Sequence, residues 1–339
     1  MKNISIKLFL IISLFCVFSP ATQIDAQTAG KRNTAVRADP LPSFNSGTAK
    51  TNILNFVTSV TKKNSPNFVK PEDRIAVFDN DGTLWVEQPL TSQLFFVADR
   101  IRQMAVNHPE WKNEMPFKAI LENDLNAMAT FNTADVLKLV GTAQASDNVD
   151  EFDPIVREWM KTATHPVMKK PYYELIYQPM LELLQLLKKH QFKIYIVSGG
   201  SVEFMRPWAP ETYGIPKENI IGTTFKREAI QNGDSIIVKQ TTDFEFNDDK
   251  LGKVISINRI IGKKPIFIGG NSDGDLAMMQ YATTNHNTFC VFVNHTDGER
   301  EFLYDDKTLM GTLKAGLPVA QRKGWTIIDM KNDWNRIFP

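Results

Sequence analysis

The sequence predicts an α/β fold, a doubly wound, mostly parallel sheet with an inserted all-helical cap, and three observations carry that prediction. Short apolar runs end abruptly in polar, glycine-rich clusters at 79–83, 198–200 and 270–275. From the second run onward, such runs alternate with segments of helical spacing, the pattern of a parallel sheet covered on both faces. Between the first two runs lie roughly a hundred residues of helical spacing with no convincing strand, which reads as an insertion.

In chain order, residues 1–26 read as an export signal. Lys2 and Lys7 supply a positive start, residues 8–18 form an apolar run, and Ala21 or, better, Ala26 offers a small residue for cleavage. The run is short for a membrane span and no later segment is long and apolar enough to be one. The expectation is therefore an exported protein, periplasmic or secreted, with a retained N-terminal anchor as the alternative. Cleavage removes Lys2, Lys7 and Asp25 and leaves a formally neutral chain whose one cysteine, Cys290, sits in the apolar run 289–293 and reads as inert core.

Residues 27–48, rich in Thr, Ala, Ser, Pro and Gly, read as a flexible lead-in. The first part of the core is 49–89. Ile53, Val57 and Val60, with Leu54 beside them, give an amphipathic helix, and 74–78 is the first strand. The cap is 90–178, where Leu94, Val97 and Ile101, then Leu121, Leu125 and Met128, fall at helical spacing. The second part of the core, 179–339, opens on a helix marked by Leu181, Leu184 and Leu187. Strands follow at 194–197, 265–268, 289–293 and 326–328, with helices at 254–261 and from 276.

The formal charge is +1, from 39 basic and 38 acidic residues, and no basic stripe interleaves with aromatics, which argues against a nucleic-acid partner. In an open α/β sheet, ligands bind outside the carboxyl ends of the strands, so the three polar clusters should converge on one site. Asp and Gly are ordinary turn residues, but Asp79 and Asp81 directly follow a mostly apolar strand, where two carboxylates are costly unless a cation accompanies them. Ser198-Gly199-Gly200 alone would be an ordinary turn; its position at a strand end raises it to a candidate. The five histidines, 108, 165, 190, 286 and 295, lack zinc spacing, and most read as surface or helix-end residues.

With Gly82 and Thr83, the segment VFDNDGT at 77–83 resembles the DxDGT signature of the haloacid dehalogenase superfamily. The resemblance implies a flavodoxin-like core with a helical cap like that of phosphoserine phosphatases. It also implies Mg²⁺-dependent hydrolysis of phosphate monoesters through an aspartyl-phosphate, with a small phosphorylated molecule as the partner. Asp79 would be the nucleophile. Asp81 would protonate the leaving alcohol, activate the water, and lend its carbonyl to the metal. Thr83 and the amides around Gly82 would brace the loop. Ser198, through its hydroxyl, and Gly199, through its amide, would hold phosphate oxygens.

A lysine completes this pattern by offsetting negative charge in the transition state. Lys250 and Lys253 are the candidates. Phosphoserine phosphatases place it just before the glycine of this segment, where this chain has Leu251; a group of exported relatives places it just after, which selects Lys253. The last signature, G-D-x-x-x-D, is here Gly270-Asn271-Ser272-Asp273-Gly274-Asp275. The implied metal ligands are then Asp79, Asp81, Asn271 and Asp275, with Asp273 as an extra acid between. An amide oxygen ligates Mg²⁺ without a charge, so the expected affinity is lower than in typical members.

Residues 79–89, 177–208, 269–279 and 295–304 resemble that exported group most. Trp85, Glu87 and Gln88 lie where the chain enters the cap, a place where related phosphatases read substrates, although packing serves equally for Trp85. Arg206 and Trp208 are weaker substrate candidates. A phosphomutase or dehalogenase on the same fold, or a non-catalytic phosphate-ligand binding protein, are the alternatives. A dehalogenase needs no acid at the position of Asp81, and only Asn271 favours the non-catalytic reading.

Overall fold

The computed structural model describes residues 38–284, 287–305, 308 and 310–339; the expected export signal, residues 27–37 and His286 lie outside the described residues. Seven strands form one sheet: β1 (Ile75–Phe78), β2 (Lys193–Ser201), β3 (Ile220–Asn232), β4 (Ser235–Phe246), β5 (Phe267–Gly270), β6 (Phe289–Asn294) and β7 (Thr326–Asp329). Their order is β4-β3-β2-β1-β5-β6-β7, and every pairing except β3 with β4 is parallel. This is the expected α/β architecture with a helical insertion between β1 and β2.

The apolar runs make these strands because both faces of the sheet are covered. Ile75 and Val77 join Tyr195, Val197, Ile268 and Cys290 in one core. Ala76 and Phe78, one residue out of phase, join Ile194, Ile196 and Phe267 in the other. Burial pushes the Cys290 thiol up, which keeps it protonated in that core. In register, Phe78 stands between Ile196 of β2 and Gly269 of β5, so Asp79, Ser198 and Asn271 follow within two residues of one level, while β2 itself runs on to Ser201. Asp79 extends the ladder by one bond, its amide donating to the Gly269 carbonyl at 3.0 Å.

The inserted segment carries helices Ser92–Met104, Phe117–Glu122, Leu125–Met128, Thr133–Gln144 and Phe152–Thr162. One expected run is broken in two. Asn123 takes a left-handed conformation with φ 54°, and the Asp124 carboxylate caps the next helix through the amides of Asn126 and Ala127. Leu125 consequently faces solvent.

Two further differences come from residues whose partners are distant in sequence. Within the expected flexible lead-in, Leu41, Ser43 and Phe44 are buried, and the Ser43 amide and hydroxyl bond Glu182 at 2.9 and 2.6 Å. The Phe44 ring meets Trp334, near the other end of the chain, edge-on at 6.2 Å. The β3–β4 pair gave no apolar signal because only the first half of β3 is buried; beyond Phe225 the rest of β3 is exposed up to the turn at Gly233. That ribbon holds the cap, since Gln240 and Ser146 exchange backbone hydrogen bonds of 2.9 and 3.1 Å.

Gly269 is required by packing. A Cβ there would lie 2.5 Å from Cδ1 of Phe78, the residue that delivers the chain to Asp79. Gly269→Ala should therefore cost about 1–3 kcal/mol of stability in urea unfolding, part of it recovered when Phe78→Leu is added. Unchanged stability in the single variant would contradict this packing account.

Candidate active site

The register of β1, β2 and β5 brings Asp79, Ser198 and Asn271 to one edge of the sheet, beneath the cap. Asp79 and Asp81 face a cavity of about 780 Å³, closed on the cap side by Asn132, Val136 and Val140. The turn after β1 depends on glycine. Gly82 has φ +69°, and a Cβ there would meet the Asn271 amide nitrogen at 2.0 Å. Within the turn, the amides of Thr83 and Leu84 donate to the Asn80 carbonyl, and the Gly82 amide to that of Trp85.

Lys253 organises the charges. It projects from helix Leu251–Ser256, is essentially buried, and places Nζ 2.9 Å from Asp79 Oδ1, 2.7 Å from Asp275 Oδ1 and 2.9 Å from the Val197 carbonyl. Burial alone would lower its pKa, but Asp275 and Asp79 outweigh burial and raise it, so the ammonium form is secure. Gly252 lets the helix start this close, because a Cβ there would lie 2.0 Å from the Asn247 carbonyl oxygen. Lys250 lines the cavity without joining the Asp79 ion pair.

The carboxyls of the cavity are short of positive charge. Burial, then the charge of Asp275, raises the pKa of Asp79 to about 8 against the pull of Lys253. Burial raises that of Asp81 to about 6, opposed by a 2.8 Å hydrogen bond from Trp85 Nε1 and by Lys253. Glu87 is held well above the ordinary range by burial and then by Asp81 and Asp79. Asp79 Oδ1 is also buried with no well-aligned hydrogen bond, its lysine contact being an ion pair. Such a set suits a bound cation. Among the described residues no three His, Cys, Asp or Glu side chains converge as a metal cage, so a cation here would also draw on main-chain and amide oxygens.

The last loop divides its roles. Asn271 is buried, its Oδ1 accepting from Thr83 Oγ1 at 3.0 Å and its Nδ2 donating to Glu87 Oε2 at 3.1 Å. Asp275 gives Oδ1 to Lys253 and Oδ2 to the amides of Asn271 and Ser272 at 2.9 and 3.0 Å, so its oxygens are engaged in ordering the loop. Asp273 turns away to accept from the amides of Ala315 and Gly316. Ser198 is buried at the end of the apolar part of β2, its Oγ accepting from the Gly200 amide at 3.1 Å, and Thr223 Oγ1 fixes the Gly199 carbonyl at 2.7 Å.

Arg206 and Trp208 do not join the site. The Arg206 guanidinium donates to the Ile220 carbonyl, and Trp208 stacks on Trp85 at 4.2 Å. Two of the histidines, His165 and His295, are buried. His165 bonds the Gln88 carbonyl at 2.7 Å. His295 spans the Gly82 carbonyl at 2.7 Å and Glu301 at 3.0 Å, and Tyr177 donates to the same Glu301 at 3.0 Å. This network anchors the turn after Asp79. The one signal for it in the sequence was the resemblance over 295–304.

Fold and site together define a doubly wound α/β protein with carboxylates and a lysine at the carboxyl edge of the sheet. Residues 76–280 match the haloacid dehalogenase-like hydrolase family, and the chain belongs to it. No curated protein matches the sequence. Among solved structures, the chain is similar to a conserved protein of unknown function from Anaerococcus prevotii DSM 20548, at 15% identity and TM-score 0.52, over 83% of this chain and 91% of that one. A protein of unknown function from Bordetella pertussis Tohama I is 16% identical at TM-score 0.47, over 76% of this chain and 98% of that one. A phosphoserine phosphohydrolase-like protein from Francisella tularensis subsp. tularensis SCHU S4 is 21% identical at TM-score 0.35, over 65% and 87%. At 15% identity the likeness to the Anaerococcus protein speaks to fold alone.

Replacing His295 by Phe would leave the Gly82 carbonyl and the Glu301 carboxylate without that partner. Stability in urea should fall by about 1–3 kcal/mol. A variant as stable as the parent would show that the turn does not depend on this network.

Proposed function

We propose that the protein is a Mg²⁺-dependent phosphatase that hydrolyses phosphate monoesters through a phosphoryl group carried on Asp79. The observation that carries this reading is the ion pair of Lys253 with Asp79 at 2.9 Å, in a cavity that Asp81 also faces. A carboxylate held against a lysine at the end of a buried strand is arranged to attack phosphorus while the lysine offsets charge on the phosphate oxygens.

In the first step an Asp79 oxygen bonds to phosphorus, the bond from phosphorus to the substrate oxygen breaks, and Asp81 gives that oxygen its proton. Trp85 Nε1, 2.8 Å from Asp81 Oδ1, fixes the orientation of the acid. In the second step Asp81 takes a proton from water, whose oxygen attacks phosphorus and releases Asp79 and inorganic phosphate. The Ser198 hydroxyl and the Gly199 amide are the donors assigned to the phosphate oxygens. Asp79, the Asp81 carbonyl and Asn271 Oδ1 would hold Mg²⁺, which supplies positive charge to the phosphate and to Asp79 and keeps water on its remaining positions. Asp275 acts through Lys253 and the loop amides.

Asp79→Asn should abolish phosphate release from an activated aryl phosphate, whereas Asp81→Asn should retain a rate about 10²- to 10⁴-fold below the parent. Chelator should remove activity and Mg²⁺ restore it. Near-normal turnover by Asp79→Asn would contradict the mechanism at its first step.

We also propose export, from Lys2, Lys7 and the apolar run at 8–18. Mass spectrometry of the mature N-terminus should find a start near residue 27. Intact Met1 on cytoplasmic protein would contradict it.

A further inference from the structure

We propose that Glu87 supplies the metal site with the negative charge that Asn271 lacks, standing behind the amide and fixing its orientation. The inference rests on the metal assignment above and extends it to a residue outside the family signatures. Its starting point is the side chain of Asn271, which is held at both ends. Nδ2 donates to Glu87 Oε2 at 3.1 Å, and Oδ1 accepts from Thr83 Oγ1 at 3.0 Å. Burial and the charges of Asp81 and Asp79 favour the neutral form of Glu87 until a cation offsets them; with the cation bound the group is a carboxylate with no proton to give, and the nitrogen of the amide must face it. The oxygen is then left on the side of the nucleophile turn, with a second lone pair available beyond the threonine bond.

Glu87 has a seat built for it. A Cβ on Gly82 would lie 2.7 Å from Oε2, and one on Gly311 would lie 2.4 Å from it, so both backbones close on the carboxylate. Both glycines have positive φ, +69° and +76°. The adjacent Gln88 ties the same segment to the 310–312 loop by donating from Nε2 to the Met310 carbonyl at 3.1 Å. Glu87 is only 8% exposed and lines the cavity with Asp79 and Asp81. A third buried carboxylate hydrogen-bonded to a neutral amide is an expensive arrangement unless a cation is nearby. Placed behind Asn271, it polarises the amide so that its oxygen carries more negative charge, as carboxylates do behind metal-binding histidines.

The arrangement also changes what an aspartate at position 271 would do. With Glu87 in place, Asn271→Asp would set two carboxylates about 3 Å apart where a hydrogen bond now exists, so little affinity should be gained. With Glu87→Gln, the amide and the acid exchange places and the contact is restored.

The test is calorimetric titration of Mg²⁺ into the substrate-free parent protein, Glu87→Gln, Asn271→Asp and the double variant. Melting curves without metal check that each is folded. Glu87→Gln should bind Mg²⁺ about 10- to 100-fold more weakly, and the double variant should return to within a few-fold of the parent. If Glu87→Gln binds like the parent, or the double variant is no tighter than Glu87→Gln, the proposal is overturned. Because the readout is metal binding without turnover, it separates from the phosphatase reading. A parent that binds Mg²⁺ in the predicted order but releases no phosphate from any monoester sinks the reading and leaves Glu87 standing.

Discussion

Lys253 is buried between two carboxylates, Asp79 at 2.9 Å and Asp275 at 2.7 Å, and the geometry of the site follows from that contact. Taking an ammonium and two carboxylates out of water is expensive, and removing one member of such a pair costs about 3–5 kcal/mol because the others are left uncompensated. Asp79 extends β1, Lys253 comes from the helix that follows the β3–β4 ribbon, and Asp275 orders the loop after β5. The charges therefore join three separate elements. Lys253 also donates to the Val197 carbonyl, one residue before Ser198, which adds β2 to the set. A site assembled in this way is held by its own electrostatics and by the register of the parallel strands.

Close packing permits the electrostatics. Gly252, Gly269 and Gly82 each stand where a single methyl group would strike a neighbour, respectively the Asn247 carbonyl, the Phe78 ring and the Asn271 amide. The turn after Asp79 is braced twice from outside: by Trp85, which bonds Asp81 and stacks on Trp208, and by His295, which bonds the Gly82 carbonyl. The aromatic residues near the nucleophile thus act on its acid partner and its backbone.

What could be read from the sequence was what is local. The apolar strand, the two aspartates after it and the helical spacing of the insertion lie within short windows, where periodicity and turn chemistry are visible. Lys253 could be chosen over Lys250 only through the resemblance, since both flank the same helix start. The contacts that were not legible are long-range. Glu87 and Asn271 are 184 positions apart, His295 and Gly82 are 213 apart, and neither pair leaves a pattern in one sequence. The β3–β4 ribbon escaped for another reason: half of it faces water, so it lacks the apolar run that marks the central strands, although Asn232-Gly233 is a hairpin turn signal. Phe44 was hidden by a loop-like composition, because the Trp334 that buries it lies near the far end of the chain.

The account's central claim is that phosphorus becomes bonded to Asp79. The most direct measurement is acid quench of the protein during turnover, borohydride reduction of any acyl phosphate, and mass spectrometry of the peptide containing residues 74–88. The account predicts conversion of Asp79, and of no other residue, to the reduced homoserine form. Turnover with Asp79 unmodified, or reduction mapped to Asp81 or Glu87, would contradict it.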